Sequence, residues 1–284
     1  MNIYIIIPCY NEEKFIKRTL ISLLNQTLKP KKIMVVNDNS TDGSEGIISA
    51  FAKADTTLQT IKTNATATHL PGSKVVEAFK AGKQALDDDY DIICKFDADL
   101  IFPLNYLEEI AAVFKQNPKA GIAGGFCHIE KNNEWVLESL TNKDHIRGAL
   151  KAYRKDCLEQ IGGLKSAMGW DTADELLAQY HKWEVVTVEQ LHVKHLKPTG
   201  DTYTTASKFK QGEAFYSLRY GFLLSLIASL KLSLLKRSPK FFINCMRGYF
   251  SAKRSGKPHL VSKKEGKFIQ SLRWAGIKEK IFTI

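Results

Sequence analysis

Three short apolar runs in the first hundred residues each end abruptly in a group of polar side chains. The runs span residues 3–7, 33–36 and 92–96, and segments with the apolar spacing of helices separate them. Nearly continuous apolar runs of this length are typical of strands buried on both faces of a parallel sheet. Strands that alternate with helices, with polar residues at the strand carboxyl ends, predict an open α/β sheet whose ligand crevice lies along that edge.

The third run is followed by two aspartates that flank one residue, Asp97-Ala98-Asp99. Side chains alternate along an extended chain, so Asp97 and Asp99 share a face. Two carboxylates held in this way supply the hard oxygen ligands that Mn²⁺ and Mg²⁺ bind, and such an ion can in turn hold a diphosphate. Because the motif also occurs by chance in acidic loops, its meaning depends on the residues around it.

Three motifs in this order resemble those of the inverting glycosyltransferases of family 2. They are Ile7-Pro8-Cys9-Tyr10-Asn11-Glu12, Val36-Asn37-Asp38-Asn39-Ser40-Thr41-Asp42-Gly43 and Phe96-Asp97-Ala98-Asp99. The resemblance covers most of residues 1–205. It implies a GT-A fold, an α/β fold with a mixed, mostly parallel sheet flanked by helices. It also implies an enzyme that transfers a sugar from a nucleotide-sugar to an acceptor hydroxyl with inversion, using Mn²⁺ or Mg²⁺.

The resemblance assigns residues to the nucleotide-sugar donor. In the family, the turn after the first strand and the acidic loop after the second strand hold the nucleotide. Asp38 matches the aspartate that typically reads uracil, which implies a UDP-sugar, although the family usually carries two aspartates where this chain has Asn37-Asp38. Lys74, before a helix predicted over 75–86, either approaches a donor phosphate or is a solvated lysine. The implied donor residues are Pro8, Tyr10, Asn11, Glu12, Asp38, Lys74, Asp97 and Ala98.

The resemblance also completes the metal site. In the family a histidine late in the domain is the third ligand, and His195, which precedes the Pro-Thr-Gly loop at 198–200, fits this place. His192 is the alternative. The implied ligands are therefore Asp97, Asp99 and His195, with Asp99 the more direct of the two carboxylates.

The catalytic base of the family is an aspartate at the start of a helix, and it removes the proton of the acceptor hydroxyl as the attack proceeds. Alignment on Leu177 places Asp174 at this position. Two alternatives stay open: Glu175, if the acidic pair is reversed, and Asp171, which is otherwise a helix N-cap.

Two further side chains are candidates for the acceptor site. Arg147 either binds a phosphate or carboxylate group, for which its guanidinium is suited, or is structural. Trp170 either stacks on an acceptor sugar or packs in the core.

Charge is distributed unevenly along the chain. Residues 1–205 carry 24 Lys/Arg and 27 Asp/Glu, a net charge of −3, whereas residues 206–284 carry 17 and 3, a net charge of +14. In the tail, a leucine-rich helical segment is predicted over 215–235, and its uncharged core at 220–230 is shorter than the ~20 residues that span a bilayer. Leu218 and Phe222 begin a stripe repeating every four residues. The pattern predicts an interfacial anchor on anionic lipid, or else a packed appendage or a dimer contact.

We therefore predict two parts, a GT-A catalytic domain at 1–205 and a basic amphipathic helical tail at 206–284. The chain begins with a strand rather than a signal peptide, and its five cysteines show no disulfide spacing, which predicts a cytoplasmic protein on the inner face of the cell membrane. The expected partners are a nucleotide-sugar and a glycan or lipid-linked acceptor of the cell envelope, and no nucleic acid is expected.

Two other classes of function are weaker alternatives. A nucleotidyltransferase of related fold should carry a glycine-rich basic loop after the first strand, where this chain has Pro8-Cys9-Tyr10-Asn11-Glu12. A non-catalytic membrane- or nucleic-acid-binding protein has no need of three metal ligands, and the tail lacks a recognisable RNA- or DNA-binding motif.

Overall fold

A single mixed sheet forms the centre of the molecule. The computed structural model describes residues 1–63, 73–138, 143–197 and 209–282. The strands within these ranges are β1 (Ile3–Cys9), β2 (Lys32–Asn37), β3 (Leu58–Lys62), β4 (Ile92–Phe96), β5 (Leu100–Ile101), β6 (Ala120–Lys131), β7 (Glu134–Leu137), β8 (Leu150–Arg154) and β9 (Glu184–His195). The helices are α1 (Ile16–Leu24), α2 (Ser44–Ala54), α3 (Ser73–Gln84), α4 (Tyr106–Gln116), α5 (Lys155–Gln160), α6 (Trp170–Tyr180), α7 (Lys210–Ser217), α8 (Gly221–Leu235), α9 (Pro239–Arg254) and α10 (Lys263–Phe282).

The strand order is β3-β2-β1-β4-β8-β6-β9-β5, and β7 pairs with β6 outside this path. The pairs β3–β2, β2–β1 and β1–β4 are all parallel. The apolar side chains of β1, β2 and β4 are buried, as their continuous apolar sequences predict. Because parallel strands end on the same side, the polar segments that follow β1, β2 and β4 meet at one edge. This arrangement confirms the predicted α/β sheet.

The second half of the sheet differs from the sequence prediction in one respect. The apolar residues at 185–188 and 191–195 predict two short strands, but both groups lie in one strand, β9, of 12 residues. Its pairing with β6 shifts register between Gly124 and Phe126. A Cβ atom on Gly125 would lie 2.3 Å from the Leu191 carbonyl oxygen, so a glycine is required where the strands approach at this irregularity.

The basic tail forms four helices that pack on the rest of the protein. The prediction of one helix over 215–235 is wrong. The backbone is left-handed at Arg219 (φ 56°) and Gly221 (φ 76°), and this break separates α7 from α8. Leu218 therefore does not share a helix with Phe222. The ring of Phe268 in α10 lies 5.5 Å from that of Tyr180 in α6. The proposed boundary at 205/206 lies outside the described residues.

Within the described ranges, no helix combines the length and the apolar character needed to cross a membrane.

Helices α7 and α9 approach each other closely through two glycines. A Cβ atom on Gly212 would lie 1.7 Å from the Cys245 carbonyl oxygen, and one on Gly248 would lie 2.0 Å from the Phe209 carbonyl oxygen. Backbone atoms cannot move aside as flexible side chains do, so these contacts hold only if the glycines are kept.

We predict that Gly212→Ala lowers the free energy of unfolding by about 2 kcal/mol or more, because α7 and α9 must separate to admit the methyl group. The matched control is Gly46→Ala in α2, where a Cβ atom has no neighbour within 4 Å. The control should be neutral or stabilising by up to ~1 kcal/mol. Urea unfolding of both variants measures the difference, and equal stability of the two would contradict the predicted clash.

Candidate active site

A cleft of about 480 Å³ lies where the polar segments after β1, β2 and β4 meet. It brings together every residue that the sequence analysis placed at the donor, and adds Asp99 and Lys197 to them. Its lining residues are Pro8, Cys9, Tyr10, Asn11, Glu12, Asp38, Lys74, Val75, Ala78, Asp97, Ala98, Asp99 and Lys197. The roles of the individual side chains stay predictions.

Hydrogen bonds tie the loop after β1 to the loop after β2. Asn11 adopts a left-handed backbone (φ 54°), and its side-chain oxygen accepts a hydrogen bond from the Thr41 amide at 2.8 Å. The Asn11 and Glu12 amides donate to the hydroxyl oxygens of Ser40 (3.0 Å) and Ser44 (2.8 Å). Ser40, Thr41 and Ser44 therefore hold the loop after β1 in place through hydrogen bonds.

Asp38 is buried at the base of this side of the cleft. Its carboxylate accepts a hydrogen bond from the Thr63 hydroxyl at 3.0 Å, and its amide donates to the Cys9 carbonyl at 2.8 Å. The Lys74 ammonium, which also lines the cleft, lies 5.6 Å from the centre of the Tyr10 ring. The cleft lining thus includes the anionic Asp38 and a cation above an aromatic face.

Asp99 and His195 meet because β5 pairs with β9, which places Leu100 opposite His195. The His195 Nε2 atom lies 3.5 Å from Asp99 Oδ2. The other carboxylate oxygen of Asp99 is buried and has no hydrogen-bond partner among the described residues. An unpartnered buried oxygen beside an imidazole nitrogen is a donor set that fits Mn²⁺ or Mg²⁺.

His195 is oriented by a residue that the sequence analysis did not identify. The His195 Nδ1 atom lies 2.8 Å from a carboxylate oxygen of Glu138, as in the carboxylate–histidine pairs that support metal sites. Cys127, Glu138 and His195 bring potential ligand atoms within 4.8 Å of one another. Glu138 also contacts the guanidinium of Arg147. Because a cation already faces Glu138, its carboxylate supports the imidazole rather than holding an ion.

This ion pair bears on Arg147, which was a candidate for the acceptor site. Its guanidinium is paired with Glu138 behind His195. The contact favours the structural alternative for Arg147.

Asp97 follows β4 at the sheet edge that forms the cleft, and its side chain is partly exposed. Its carboxylate contacts the ammonium of Lys95, a lysine buried within β4. Lys197 forms an ion pair with Glu12 at 3.1 Å, and both residues line the cleft. The second carboxylate oxygen of Glu12 is buried without a partner among the described residues.

Behind the cleft, Asp174 belongs to a buried network of charges. Its carboxylate accepts hydrogen bonds from the Lys151 ammonium at 2.7 Å and the Tyr153 hydroxyl at 2.5 Å, and 1% of its side chain is exposed. Burial raises the pKa of the Asp174 carboxyl, and the charge of Lys151 only partly opposes this. Glu175 lies 3.0 Å from the same ammonium and accepts a hydrogen bond from the Ile146 amide. Neither carboxylate is open to a substrate in this arrangement.

Asp171 differs from both in its access to solvent. It lies in the first turn of α6, and 35% of its side chain is exposed. A Cβ atom on Gly148 would touch Asp171 at 3.0 Å, and the next residue, Ala149, accepts a hydrogen bond from the Asp97 amide at 2.8 Å. Asp171 therefore lies on the same side of the sheet edge as Asp97.

His145 connects Asp171 to the buried network. Its Nδ1 atom is 2.8 Å from Glu175, and its Nε2 atom is 3.8 Å from Asp171. Burial alone would lower the pKa of His145, but Asp171 and Glu175 outweigh it and raise the pKa to about 9. Burial would raise the pKa of Asp171, yet His145 and Lys151 hold it at about 2. Asp171 is thus ionised at neutral pH.

Trp170 packs rather than lines an open surface. The ring is buried beneath Gly148, where a Cβ atom would lie 2.6 Å from it. The ammonium groups of Lys95 and Lys151 lie 5.3 and 6.0 Å from the ring centre. These contacts favour the core alternative for Trp170.

Five further residues that were not predicted also shape this site, namely Lys95, Glu138, His145, Lys151 and Tyr153. The two lysines carried a signal, since each interrupts an apolar strand sequence, Cys94-Lys95-Phe96 and Leu150-Lys151-Ala152. A charge inside a buried strand requires a buried partner. Glu138 and His145 carry no comparable local signal.

The sequence profile described as Glycosyl transferase family 2 matches residues 4–163, more than half of the chain. The chain belongs to glycosyl transferase family 2. The matched region contains all three motifs of the cleft. Membership in this family confirms the predicted enzyme class, a glycosyltransferase, over the nucleotidyltransferase and the non-catalytic alternatives.

Two named relatives are similar to part of this chain. The poly-beta-1,6-N-acetyl-D-glucosamine synthase of Staphylococcus epidermidis is 25% identical over 191 residues, covering 59% of this chain and 41% of the synthase. The probable glycosyltransferase YdaM of Bacillus subtilis is 31% identical over 207 residues, covering 62% of this chain and 44% of that protein. The chain spans less than half the length of these curated relatives.

Solved structures confirm the predicted GT-A fold of this glycosyltransferase. The mannosyltransferase PcManGT from Pyrobaculum calidifontis, in complex with GDP-Man and Mn²⁺, superposes with a TM-score of 0.60 at 15% identity, covering 97% of this chain and 80% of that chain. S. aureus TarS 1–349, in complex with UDP-GlcNAc, superposes with a TM-score of 0.56 at 17% identity, covering 79% and 66%.

We predict that His145 makes the stability of this glycosyltransferase depend on pH. A folded pKa of about 9, above the ordinary value of 6.5, means that the charged imidazole stabilises the native state fully below about pH 6.5. This contribution, about 3 kcal/mol, is lost as the pH rises through 9. Urea unfolding between pH 6 and 10 measures it, with these limits set roughly by the two pKa values.

His145→Gln should remove that part of the pH dependence, and His181→Gln, at the end of α6, is the matched control that should retain it. An unchanged pH profile in His145→Gln would show that the imidazole is not charged in the folded protein.

Proposed function

We propose that this glycosyltransferase moves a sugar from a UDP-sugar to an acceptor hydroxyl with inversion, assisted by Mn²⁺ or Mg²⁺. The observation that carries the proposal is one cleft whose lining includes Asp38, Asp97 and Asp99. In the proposal, a uracil ring is read by Asp38 and the diphosphate extends toward the two aspartates. TarS and PcManGT, which share this fold, are solved in complex with UDP-GlcNAc and GDP-Man, which supports a nucleotide-sugar donor, and the match of Asp38 to the uracil-reading aspartate favours uridine.

In this proposal, Asp97, Asp99 and His195 hold the divalent ion. When bound there, the ion supplies positive charge that stabilises the diphosphate as it leaves. Glu138 keeps the His195 ring in place with Nε2 directed at Asp99, and Arg147 keeps Glu138 in place. Lys74 and Lys197 line the cleft and would add positive charge for the phosphates.

We assign the base to Asp171 rather than Asp174, which reverses the preference of the sequence alignment. A base must reach the acceptor hydroxyl, but the Asp174 carboxylate is buried and hydrogen-bonded to Lys151 and Tyr153. Asp171 is partly exposed and ionised, and it lies near the segment that carries Ala149 and contacts Asp97. An inverting transfer requires a carboxylate on the side of the sugar opposite the leaving group, and an ionised carboxylate is free to accept the proton of the acceptor hydroxyl.

The acceptor we propose is a growing glycan or a lipid-linked sugar used in envelope polysaccharide synthesis, on the inner face of the cell membrane. Two features support it. The relative from Staphylococcus epidermidis is named as a polysaccharide synthase. The tail carries a net charge of +14, which favours an anionic surface.

The first test is binding and hydrolysis of a panel of UDP- and GDP-sugars with and without Mn²⁺. We expect one UDP-sugar to be turned over only with the ion. Asp99→Ala should reduce this turnover on the order of a hundredfold or more, because loss of a residue that merely supports a metal ligand already costs about 10–100-fold. Asp156→Ala, an exposed carboxylate in α5, is the control. Metal-independent turnover equal in both variants would contradict the proposed site.

The second test separates the two candidate bases. Asp171→Asn should lower kcat by about 10²–10⁴-fold while leaving donor affinity unchanged, because it removes the proton acceptor and Asp171 does not line the donor cleft. Asp174→Asn should instead lower the free energy of unfolding, since it disturbs the pairing of buried Lys151. Transfer rates, donor titration and urea unfolding of both variants measure this. A fully active Asp171→Asn enzyme would exclude Asp171 as the base.

A further inference from the structure

We propose that an exposed apolar face on α8 and α9 is the surface with which the protein docks on an anionic membrane. This inference deepens the membrane location given in the proposed function and rests on it. The face consists of Phe222, Leu223, Leu230 and Leu234 of α8 and Phe250 of α9, each between 50% and 69% exposed. The rings of Phe222 and Phe250 lie 5.9 Å apart and join the two helices into one surface.

Helix α8 is packed with its polar side inward. Ser225, Ser229 and Ser233 are buried beside Leu224, while Phe222, Leu223, Leu230 and Leu234 point away from the protein. Surface helices of water-soluble proteins usually bury their apolar side and expose their polar side. The hydroxyl of Ser225 donates to the Gly221 carbonyl at 2.6 Å and that of Ser233 to the Ser238 carbonyl at 2.8 Å, so two of the three buried hydroxyls are satisfied locally. Small residues inside and large apolar residues outside are typical of helices that face lipid.

The charge of the segment that contains α8 and α9 indicates what covers their apolar face. Residues 221–262 contain no Asp or Glu and eight basic residues, Lys231, Lys236, Arg237, Lys240, Arg247, Lys253, Arg254 and Lys257. A second copy of this chain would bring an equal set of positive charges against these. An anionic lipid surface instead neutralises them while it covers the apolar face. The charge therefore favours lipid over a second copy.

The apolar face is linked to the proposed base through one helix. A Cβ atom on Gly169, which immediately precedes α6 and Asp171, would lie 3.6 Å from the Ala214 side chain in α7. Helix α7 in turn packs directly on α9 through Gly212 and Gly248. The proposed docking face is thus connected to the start of α6 through helices that pack directly on one another.

The experiment is flotation of the whole protein with vesicles of phosphatidylcholine, with or without phosphatidylglycerol. We expect binding only to the anionic vesicles and release by salt, which screens the charges. A variant with Phe222→Ser, Leu223→Ser, Leu230→Ser and Leu234→Ser should bind on the order of tenfold or more weakly. Ile21→Ser with Leu104→Ser, two exposed apolar residues of the catalytic domain, is the matched control and should bind normally.

Charge reversal tests the second half of the argument. Lys231→Glu, Lys236→Glu and Arg237→Glu together should abolish binding to anionic vesicles, whereas Lys14→Glu, Lys17→Glu and Arg18→Glu in and before α1 should not. All six side chains are exposed, so the variants differ only in the surface they alter.

Donor binding in the absence of vesicles separates this inference from the proposed function. A serine variant that binds UDP-sugar normally but not vesicles supports the inference. Intact protein that binds UDP-sugar but no vesicle overturns it, as does a dimer that the serine substitutions dissociate without any vesicle binding. Binding to vesicles by a protein that binds no nucleotide-sugar would support the docking surface and contradict only the proposed donor.

Discussion

The parallel pairing of β1 with both β2 and β4 is the constraint on which the rest of the site depends. Its register sets Cys9 opposite Asn37 and Ile6 opposite Lys95, so the segments that follow all three strands emerge side by side. Asp38 and Asp97 are far apart in the chain and share a cleft only because of this ladder. The hydrogen bonds between the loops after β1 and β2 then fix what the sheet has brought together.

The pairing of two buried lysines determines where the start of α6 lies. Lys95 and Lys151 face each other across β4 and β8, in strands that are otherwise apolar. A buried ammonium is tolerated only beside a carboxylate, so each lysine requires a partner from outside the strands. Asp97 pairs with the first lysine, and Asp174 and Glu175 pair with the second. The second pairing places the start of α6, and with it Asp171, beside the sheet edge that carries Asp97.

Much of the fold and of the donor side of the site could be predicted, because both follow from local patterns. The apolar runs of β1, β2 and β4 and the polar motifs after them lie within a few residues of one another in the chain. The choice of base could not be predicted in the same way. Asp171, Asp174 and Glu175 lie within about one helical turn of each other. Only the positions of Lys151, Tyr153 and His145 distinguish the two buried carboxylates, Asp174 and Glu175, from the partly exposed Asp171.

The alternation of strands and helices, the polar groups at the strand ends and the concentration of positive charge in the tail all follow from the amino-acid sequence. These are properties of neighbouring residues, and hydrophobic periodicity and charge record them directly. Three features follow instead from how distant segments pack: the side of α8 that faces outward, the support of His195 by Glu138, and the contact between Glu138 and Arg147. Each of these depends on which distant segments pack together, and the free energy of that packing is not encoded in any single stretch of the chain.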